Sequence, residues 1–330
     1  MVLLGEHQAE LDGILAGELA AVEQRFASEL RSDLPCVNEL AGHLEQYRGK
    51  MLRPTLVLVC GLATAPEQPL VEAHRVLATV VEMVHMATLV HDDVLDDQDL
   101  RRKGSTINRL QGNEAAVMLG DYLISHAYHL CASLDSQAAA RLIAMCTNTV
   151  CEGELLQLDN RDNWELDEPT YFQIIRRKTA VLTGVSCRLG AMSSGGSPEI
   201  CQRLERYGEL MGTAFQIVDD VLDLTGDVSV VGKTLGKDLE KGKLTLPLIH
   251  RLAALGGEDR QQMLEMIDSH DPRMIEQVGQ LLAEGDSVAY ARRCAEQRVA
   301  EAKGLLDALP PSPARGTLIR MADAVIARQF

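Results

Sequence analysis

Two aspartate clusters carry the chemistry legible in this chain. HDDVLDDQDLRR at residues 91 to 102 and QIVDDVLD at 216 to 223 each repeat Asp-Asp-x-x-Asp inside an apolar, helix-like stretch. On a helix, side chains four residues apart stack on one face, so Asp92 and Asp96, and likewise Asp219 and Asp223, would aim their carboxylates the same way, about 6 Å apart. Carboxylates so crowded repel one another and are costly to hold near apolar packing, so a fold that keeps both clusters is expected to bind cations there. Mg²⁺ suits such pairs because it takes oxygen ligands, keeps several waters and is completed by substrate phosphates. A diphosphate adds its negative charge to that of the carboxylates already grouped around the Mg²⁺ ions, so bases should accompany the acids. Arg101 and Arg102 follow the first cluster, and Arg forks match phosphate oxygens. Lys50 and Arg53 stand three apart in YRGKMLRP, on one helical face or turn; Lys178 precedes Thr179; Lys233, Lys237 and Lys243 follow the second cluster.

The elements that must position these residues read as helices throughout. Apolar residues recur at three- and four-residue spacing, aromatic residues are only 3% of the chain, and no strand is evident. Prolines and glycines divide the chain into about a dozen helical segments. Residues 70 to 97 and 198 to 224 end in the aspartate clusters and are apolar on more than one face, as helices central to a bundle are. Segments 112 to 134, 136 to 158 and 170 to 190 should pack around them, and the more amphipathic tail from 244 onward suits an outer layer. The expectation is an all-α, single-domain bundle around a central cavity with both clusters at its mouth, with a catalytic core of about 45 to 250 and outer helices over 251 to 330.

Composition excludes several classes of partner. A net charge of −16 with no basic patch argues against nucleic acid and anionic membrane surfaces. The eight cysteines (Cys36, Cys60, Cys131, Cys146, Cys151, Cys187, Cys201, Cys294) form no C-x-x-C pair, which predicts reduced thiols in a cytoplasmic protein and no zinc site. The amino terminus has acid where a signal peptide needs a basic start, so export is not expected. Apolar runs at 54 to 66 and 76 to 90 are read as interrupted by Gly61, Pro66, Glu82 and His85 before membrane-spanning length, so no stable membrane insertion is expected.

Taken together, the motifs resemble those of the trans-polyprenyl diphosphate synthases, most of all the long-chain, octaprenyl-type members. The likeness runs from about residue 45 to 250. It comprises G-K-x-x-R-P, the first aspartate motif with its Arg pair, G-E-x-x-Q at Gly153, Glu154 and Gln157, K-T-A at 178 to 180, G-x-A-F-Q-x-x-D-D-x-x-D at 212 to 223, and G-K-x-x-G-x-D-L-x-x-G-K-x-T-L-P at 232 to 247. Two departures stand out. The family's G-G-K-R-x-R-P becomes Arg48-Gly49-Lys50-Met51-Leu52-Arg53-Pro54, and R-R-G becomes Arg101-Arg102-Lys103-Gly104.

The resemblance implies a homodimer and a prenyltransferase of isoprenoid biosynthesis that adds isopentenyl diphosphate successively to an allylic diphosphate. A long-chain all-trans product would feed a quinone side chain, as in ubiquinone biosynthesis, or a carrier lipid. It implies that Asp92 and Asp96 hold Mg²⁺ on the allylic diphosphate, with Asp219 and Asp223 holding another ion. Arg101, Lys178, Lys233 and Lys243 would contact that diphosphate. Lys50, Arg53, His85 and Arg102 would hold isopentenyl diphosphate, and Gln216 and Thr179 would turn oxygen dipoles toward the carbon that becomes cationic. Ala87 and Thr88, one turn before Asp92, stand where short-chain members place an aromatic ring, and Leu77, Val80, Val81 and Val84 are also non-aromatic, which permits a long tunnel. Its floor could come from Tyr122, Tyr128 and Leu130. A short- or medium-chain synthase and a class I terpene cyclase are the nearest rivals. A cyclase normally lacks the second Asp-Asp-x-x-Asp and the Lys50/Arg53 site. His91-Asp92 also admits a helical His-Asp metal phosphohydrolase, which would leave the second cluster and its trailing lysines unexplained.

Overall fold

A computed structural model describes residues 2–47, 49–101, 104–225, 236–268, 274–283 and 285–328. The fold is all-α. In chain order the first helices are α1 (Val2–Glu29), α2 (Pro35–Gly42), α3 (Leu52–Thr64), α4 (Glu72–Leu95), α5 (Ile107–Gln111), α6 (Asn113–Ala132), α7 (Gln137–Asp159), α8 (Glu168–Ile175), α9 (Val181–Ser193) and α10 (Pro198–Thr225). Helices Lys237–Glu240, Leu246–Ala254, Gly257–Asp268, Met274–Ala283, Ser287–Leu305 and Pro313–Ile326 follow. The segments expected at 70–97, 112–134, 136–158 and 198–224 correspond to α4, α6, α7 and α10. The one expected at 170–190 is divided, because Arg176–Ala180 forms a π-helical turn between α8 and α9. The expectation of no strand is corrected by one ladder: Leu100 pairs with Ser105 and Arg101 with Gly104, antiparallel, directly after the first cluster.

The chain condenses into two compact units. The first comprises Met1–Thr147, Leu182–Glu205 and Leu306–Leu318, the second Asn148–Val181, Arg206–Leu305 and Ile319–Phe330. In the first unit α4 is the axis, packing most extensively on α6 and also on α3 and α1. Val76, Leu77, Val80, Val81, Met83, Val84, Met86, Ala87 and Val90 are all buried, each large side chain contributing about 1.5–3 kcal/mol. Glu82 and His85 lie within this helix, Glu82 buried, and do not keep its apolar stretch below membrane-spanning length. By length and composition α4 could cross a membrane, yet 72% of its most apolar window is buried, which marks it as a core helix. Its start is fixed by His74, whose Nδ1 accepts the Val71 N–H at 3.0 Å while Nε2 lies 3.0 Å from Ser194 Oγ. Arg75 pairs with Glu18 at 2.6 Å, tying α4 to α1.

In the second unit, helix Leu246–Ala254 packs on Ser287–Leu305, and Tyr290 stacks on His250 while donating its hydroxyl to Glu168 at 2.8 Å. α8 starts where its sequence says it should: the Asp167 carboxylate accepts the Thr170 N–H at 2.9 Å, and Pro169 occupies the first turn. Six of the eight cysteines are buried, only Cys36 and Cys151 are exposed, and none is paired.

Candidate active site

In the first unit, Asp92 and Asp96 close the C-terminal turn of α4, the Asp96 N–H donating to the Asp92 carbonyl at 2.9 Å. Both side chains are partly exposed. Their neighbour Asp93 is different. Successive residues on a helix point about 100° apart, so when Asp92 faces out Asp93 turns inward. It is 1% exposed, accepts the Tyr47 hydroxyl at 2.7 Å and receives the Arg101 guanidinium at 2.7 and 3.0 Å. Arg101 is thus docked on the cluster itself, with the Tyr47 ring 5.7 Å from its guanidinium carbon. Burial, the bond to Asp93 and its charge push the Tyr47 phenol well up, so it remains a donor.

Lys50 and Arg53 do not share a helical face. Met51 adopts φ 51°, ψ 41° as N-cap, α3 begins at Leu52, and Lys50 is left exposed in the preceding coil. A left-handed Met carries backbone strain of about 1 kcal/mol or more. Arg53 sits in the first turn of α3 with its Nε buried and without a hydrogen-bond partner. Burial lowers its affinity for its proton, opposed by the charge of Glu82. A small, open, mostly apolar depression lined by Glu23, Phe26, Met51, Glu82 and Met86 adjoins this segment. His85 is partly exposed on α4. Ala87 is fully buried, as are Leu77, Val80, Val81 and Val84, and Thr88 donates its hydroxyl to the His85 carbonyl at 2.7 Å. Of the floor candidates, Leu130 is buried, Tyr122 stacks at a tilt on His126 and Tyr128 is exposed.

The second unit assembles its residues more tightly. The π turn widens the helix so that Lys178 and Thr179 reach neighbouring helices. Gly153 on α7 makes room for it: a Cβ there would lie 2.6 Å from the Lys178 backbone nitrogen. One turn of α7 then grips the ammonium, with Glu154 at 2.5 Å and Gln157 at 2.9 Å. That contact gives G-E-x-x-Q its physical meaning. Thr179 donates to Gln216 Oε1 at 3.0 Å, Gln216 Nε2 donates to Asp220 Oδ1 at 2.8 Å, and the Tyr171 hydroxyl donates to Asp220 Oδ2 at 2.6 Å.

The second cluster splits as the first does. Asp219 is exposed, with Arg328 3.4 Å away and stacked on Phe215, while Asp220 is 4% exposed. Burial and the charge of Asp238 push the Asp220 carboxyl well up, opposed by its bonds from Tyr171 and Gln216. Asp223 accepts the N–H groups of Lys237 and Asp238 at 3.3 and 3.1 Å, and the Gly236 N–H binds its carbonyl at 2.7 Å. Burial and Asp238 nevertheless push its carboxyl up to about 6. Lys243 is buried beside Gly242, whose φ of +69° and approach to Asp162 leave no room for a Cβ. Arg102, Lys233 and Arg48 lie outside the described residues.

The donor set fits a hard divalent cation. Among the described residues no group of three or more His, Cys, Asp or Glu side chains is arranged to enclose an ion, and what the clusters offer instead is the accessible carboxylates of Asp92, Asp96 and Asp219. Mg²⁺ is ordinarily held in this way, by one or two carboxylates with phosphates and waters supplying the rest. Comparison with known proteins gives the family: the polyprenyl synthetase family model matches residues 35–284. The chain belongs to the polyprenyl synthetase family. It is 33% identical over 320 residues to the octaprenyl diphosphate synthase of Escherichia coli (strain K12), covering 97% of this chain and 98% of that one. It is 37% identical over 328 residues to heptaprenyl diphosphate synthase component 2 of Geobacillus stearothermophilus, covering 96% and 97%. Among solved structures, the polyprenyl synthase from Caulobacter crescentus CB15, complexed with calcium and isoprenyl diphosphate, superposes with TM-score 0.90 at 29% identity, covering 98% of each chain.

Sequence reasoning missed Asp93 and Tyr47 beside the first cluster, and Asp220, Tyr171 and Arg328 beside the second. The 100° step between adjacent helical residues would have separated each Asp-Asp doublet into an outward and an inward member. The tyrosines carry no such local signal.

Proposed function

We propose that this protein condenses isopentenyl diphosphate successively onto an allylic diphosphate, with Mg²⁺ as its metal, to build a long-chain all-trans polyprenyl diphosphate. The observation that carries the reading is the cluster on α10 and the π turn: Lys178 held by Glu154 and Gln157, Thr179 bonded to Gln216, and Asp219 and Asp223 about one and two turns further along α10. Bound Mg²⁺ supplies Lewis-acid neutralisation of the leaving diphosphate. Asp92, Asp96, Asp219 and Asp223 would hold it, and Lys178, Arg101, Lys233 and Lys243 would add cationic donors to the same leaving group. Thr179 and Gln216 would face the carbon from which the C–O bond breaks. Arg53, whose buried Nε lacks a partner, would with Lys50, His85 and Arg102 hold isopentenyl diphosphate. Its double bond then forms the new C–C bond, and the proton released goes to the departed diphosphate. Positioning of the two substrates supplies the rest of the rate.

The test is incubation of the purified chain with labelled isopentenyl diphosphate and each of three allylic primers, followed by sizing of the products. Asp92→Ala and Asp219→Ala should each lower turnover about 10³-fold, equivalent to roughly 4 kcal/mol. Near-parental turnover in both variants defeats the proposal. Activity of the chain alone would favour a homodimer, whereas activity only on addition of a second protein would favour a heteromeric enzyme, as the name of the Geobacillus relative suggests for that protein. Phosphate release without isopentenyl diphosphate would point to a phosphohydrolase instead.

A further inference from the structure

Thr179, Gln216, Asp220 and Tyr171 form one directional chain of hydrogen bonds, and its direction has chemical content. A hydroxyl owns one proton. Thr179 gives its proton to Gln216 Oε1 at 3.0 Å, so what it can turn outward is oxygen lone pairs. The Gln216 amide has this sense because its Nε2 donates to Asp220 Oδ1 at 2.8 Å. Asp220 in turn receives the Tyr171 hydroxyl on Oδ2 at 2.6 Å, and both of these residues are buried. Were the amide reversed, Thr179 would accept from Nε2 and turn its own proton outward, presenting the positive end of its dipole.

We propose that Asp220 and Tyr171 are positioning residues that set the polarity of the Thr179–Gln216 pair, holding both oxygens in the sense that stabilises a cationic carbon. The inference rests on the prenyl-transfer reading above. Both are buried, Tyr171 at 3% and Asp220 at 4% exposure, so they act through Gln216. Asp220 acts because it accepts from both sides, and Tyr171 because it occupies the far oxygen and leaves the near one for Gln216.

Asp220→Asn is nearly isosteric and tests this directly. Its Oδ1 can keep the Tyr171 bond, but its Nδ2 then faces Gln216, and the amide must reverse to answer it. The expected result is a fall in kcat of about 30-fold with KM for both substrates within about twofold, since only transition-state charge is affected. Tyr171→Phe removes one of two donors and should lower kcat by about fivefold. The decisive variant is Asp220→Asn combined with Gln216→Glu. The new carboxylate accepts from the amide introduced at position 220 on one side and from Thr179 on the other, so the original sense returns. The double variant should be at least about fivefold faster than Asp220→Asn alone. A purely structural role predicts no such recovery in the double variant. If Asp220→Asn does not fold, recovery of folding and turnover in the double variant supports the inference, and failure to recover them overturns it. An active parent with Asp220→Asn at unchanged kcat, or with no rescue, overturns the inference alone. A parent without prenyl transfer overturns both.

Discussion

Gly153→Ala is the most informative single-methyl perturbation in the molecule. The added Cβ would lie 2.6 Å from the Lys178 nitrogen, 2.7 Å from Arg177 Cβ and 2.9 Å from the Arg177 carbonyl carbon. Ordinary carbon contacts begin near about 3.5 Å, so α7 and the π turn must separate by about 1 Å, and the obstacle is backbone that cannot swing aside. Two effects oppose each other. Alanine favours a helix interior over glycine by about 0.8–1 kcal/mol, whereas overpacking a close contact costs about 1–3 kcal/mol. The clash should win by about 1 kcal/mol. The larger consequence is catalytic, because the shift falls on Lys178 and Thr179, and a misplacement of about 1 Å can cost about 10²-fold in rate. Calorimetry and steady-state kinetics on parent and variant measure both terms. Gly13→Ala on α1 is the control, since a Cβ there meets nothing within 4 Å and should stabilise by about 1 kcal/mol. If Gly153→Ala melts higher than the parent and keeps kcat within twofold, the close approach is not what positions the π turn.

Three further outcomes are expected. Asp93→Asn leaves the Arg101 guanidinium without its charged partner, and unfolding in denaturant should show a loss of about 3 kcal/mol; a loss below about 1 kcal/mol would mean the pair does not anchor the end of α4. Burial lowers the His74 pKa below its ordinary value, so the unfolded chain binds that proton first, and this contribution to stability is present above about pH 6.5 and declines as pH falls below it. Melting temperatures of parent and His74→Gln should therefore diverge in slope between about pH 7.5 and 5.5, and parallel curves would refute the assignment. Ala87→Phe, one turn before Asp92 on α4, should shorten the product to about three or four isoprene units, and chromatography showing parental length would remove this helix as the ruler.

Much of this is legible in the residues, for identifiable reasons. α4 and α10 emerge from apolar positions at helical spacing that close on acidic turns, and their observed ends lie within two residues of the expected ones. Glu82 and His85 read as breaks in the apolar run because a local pattern cannot show that the surroundings of α4 bury Glu82. Spacing alone puts Lys50 and Arg53 on one helical face or turn, whereas the left-handed Met51 starts α3 at Leu52 and leaves Lys50 outside the helix. The π turn has no local signature. It becomes intelligible only once Gly153 brings another backbone against it. The partners of Asp93 and Asp220 come from elements distant in sequence, so only the inward direction of these residues, not what they meet there, is available beforehand.

The division of each doublet into an outward and an inward aspartate has a consequence for how variants of this protein sort. A library selected for thermal survival alone should purge changes at Asp93 and Asp220 while accepting many at Asp92 and Asp219. The same library selected for turnover should purge all four. Neighbouring positions of identical chemistry thus answer to different pressures, one set by the durability of the scaffold and the other by the reaction it hosts.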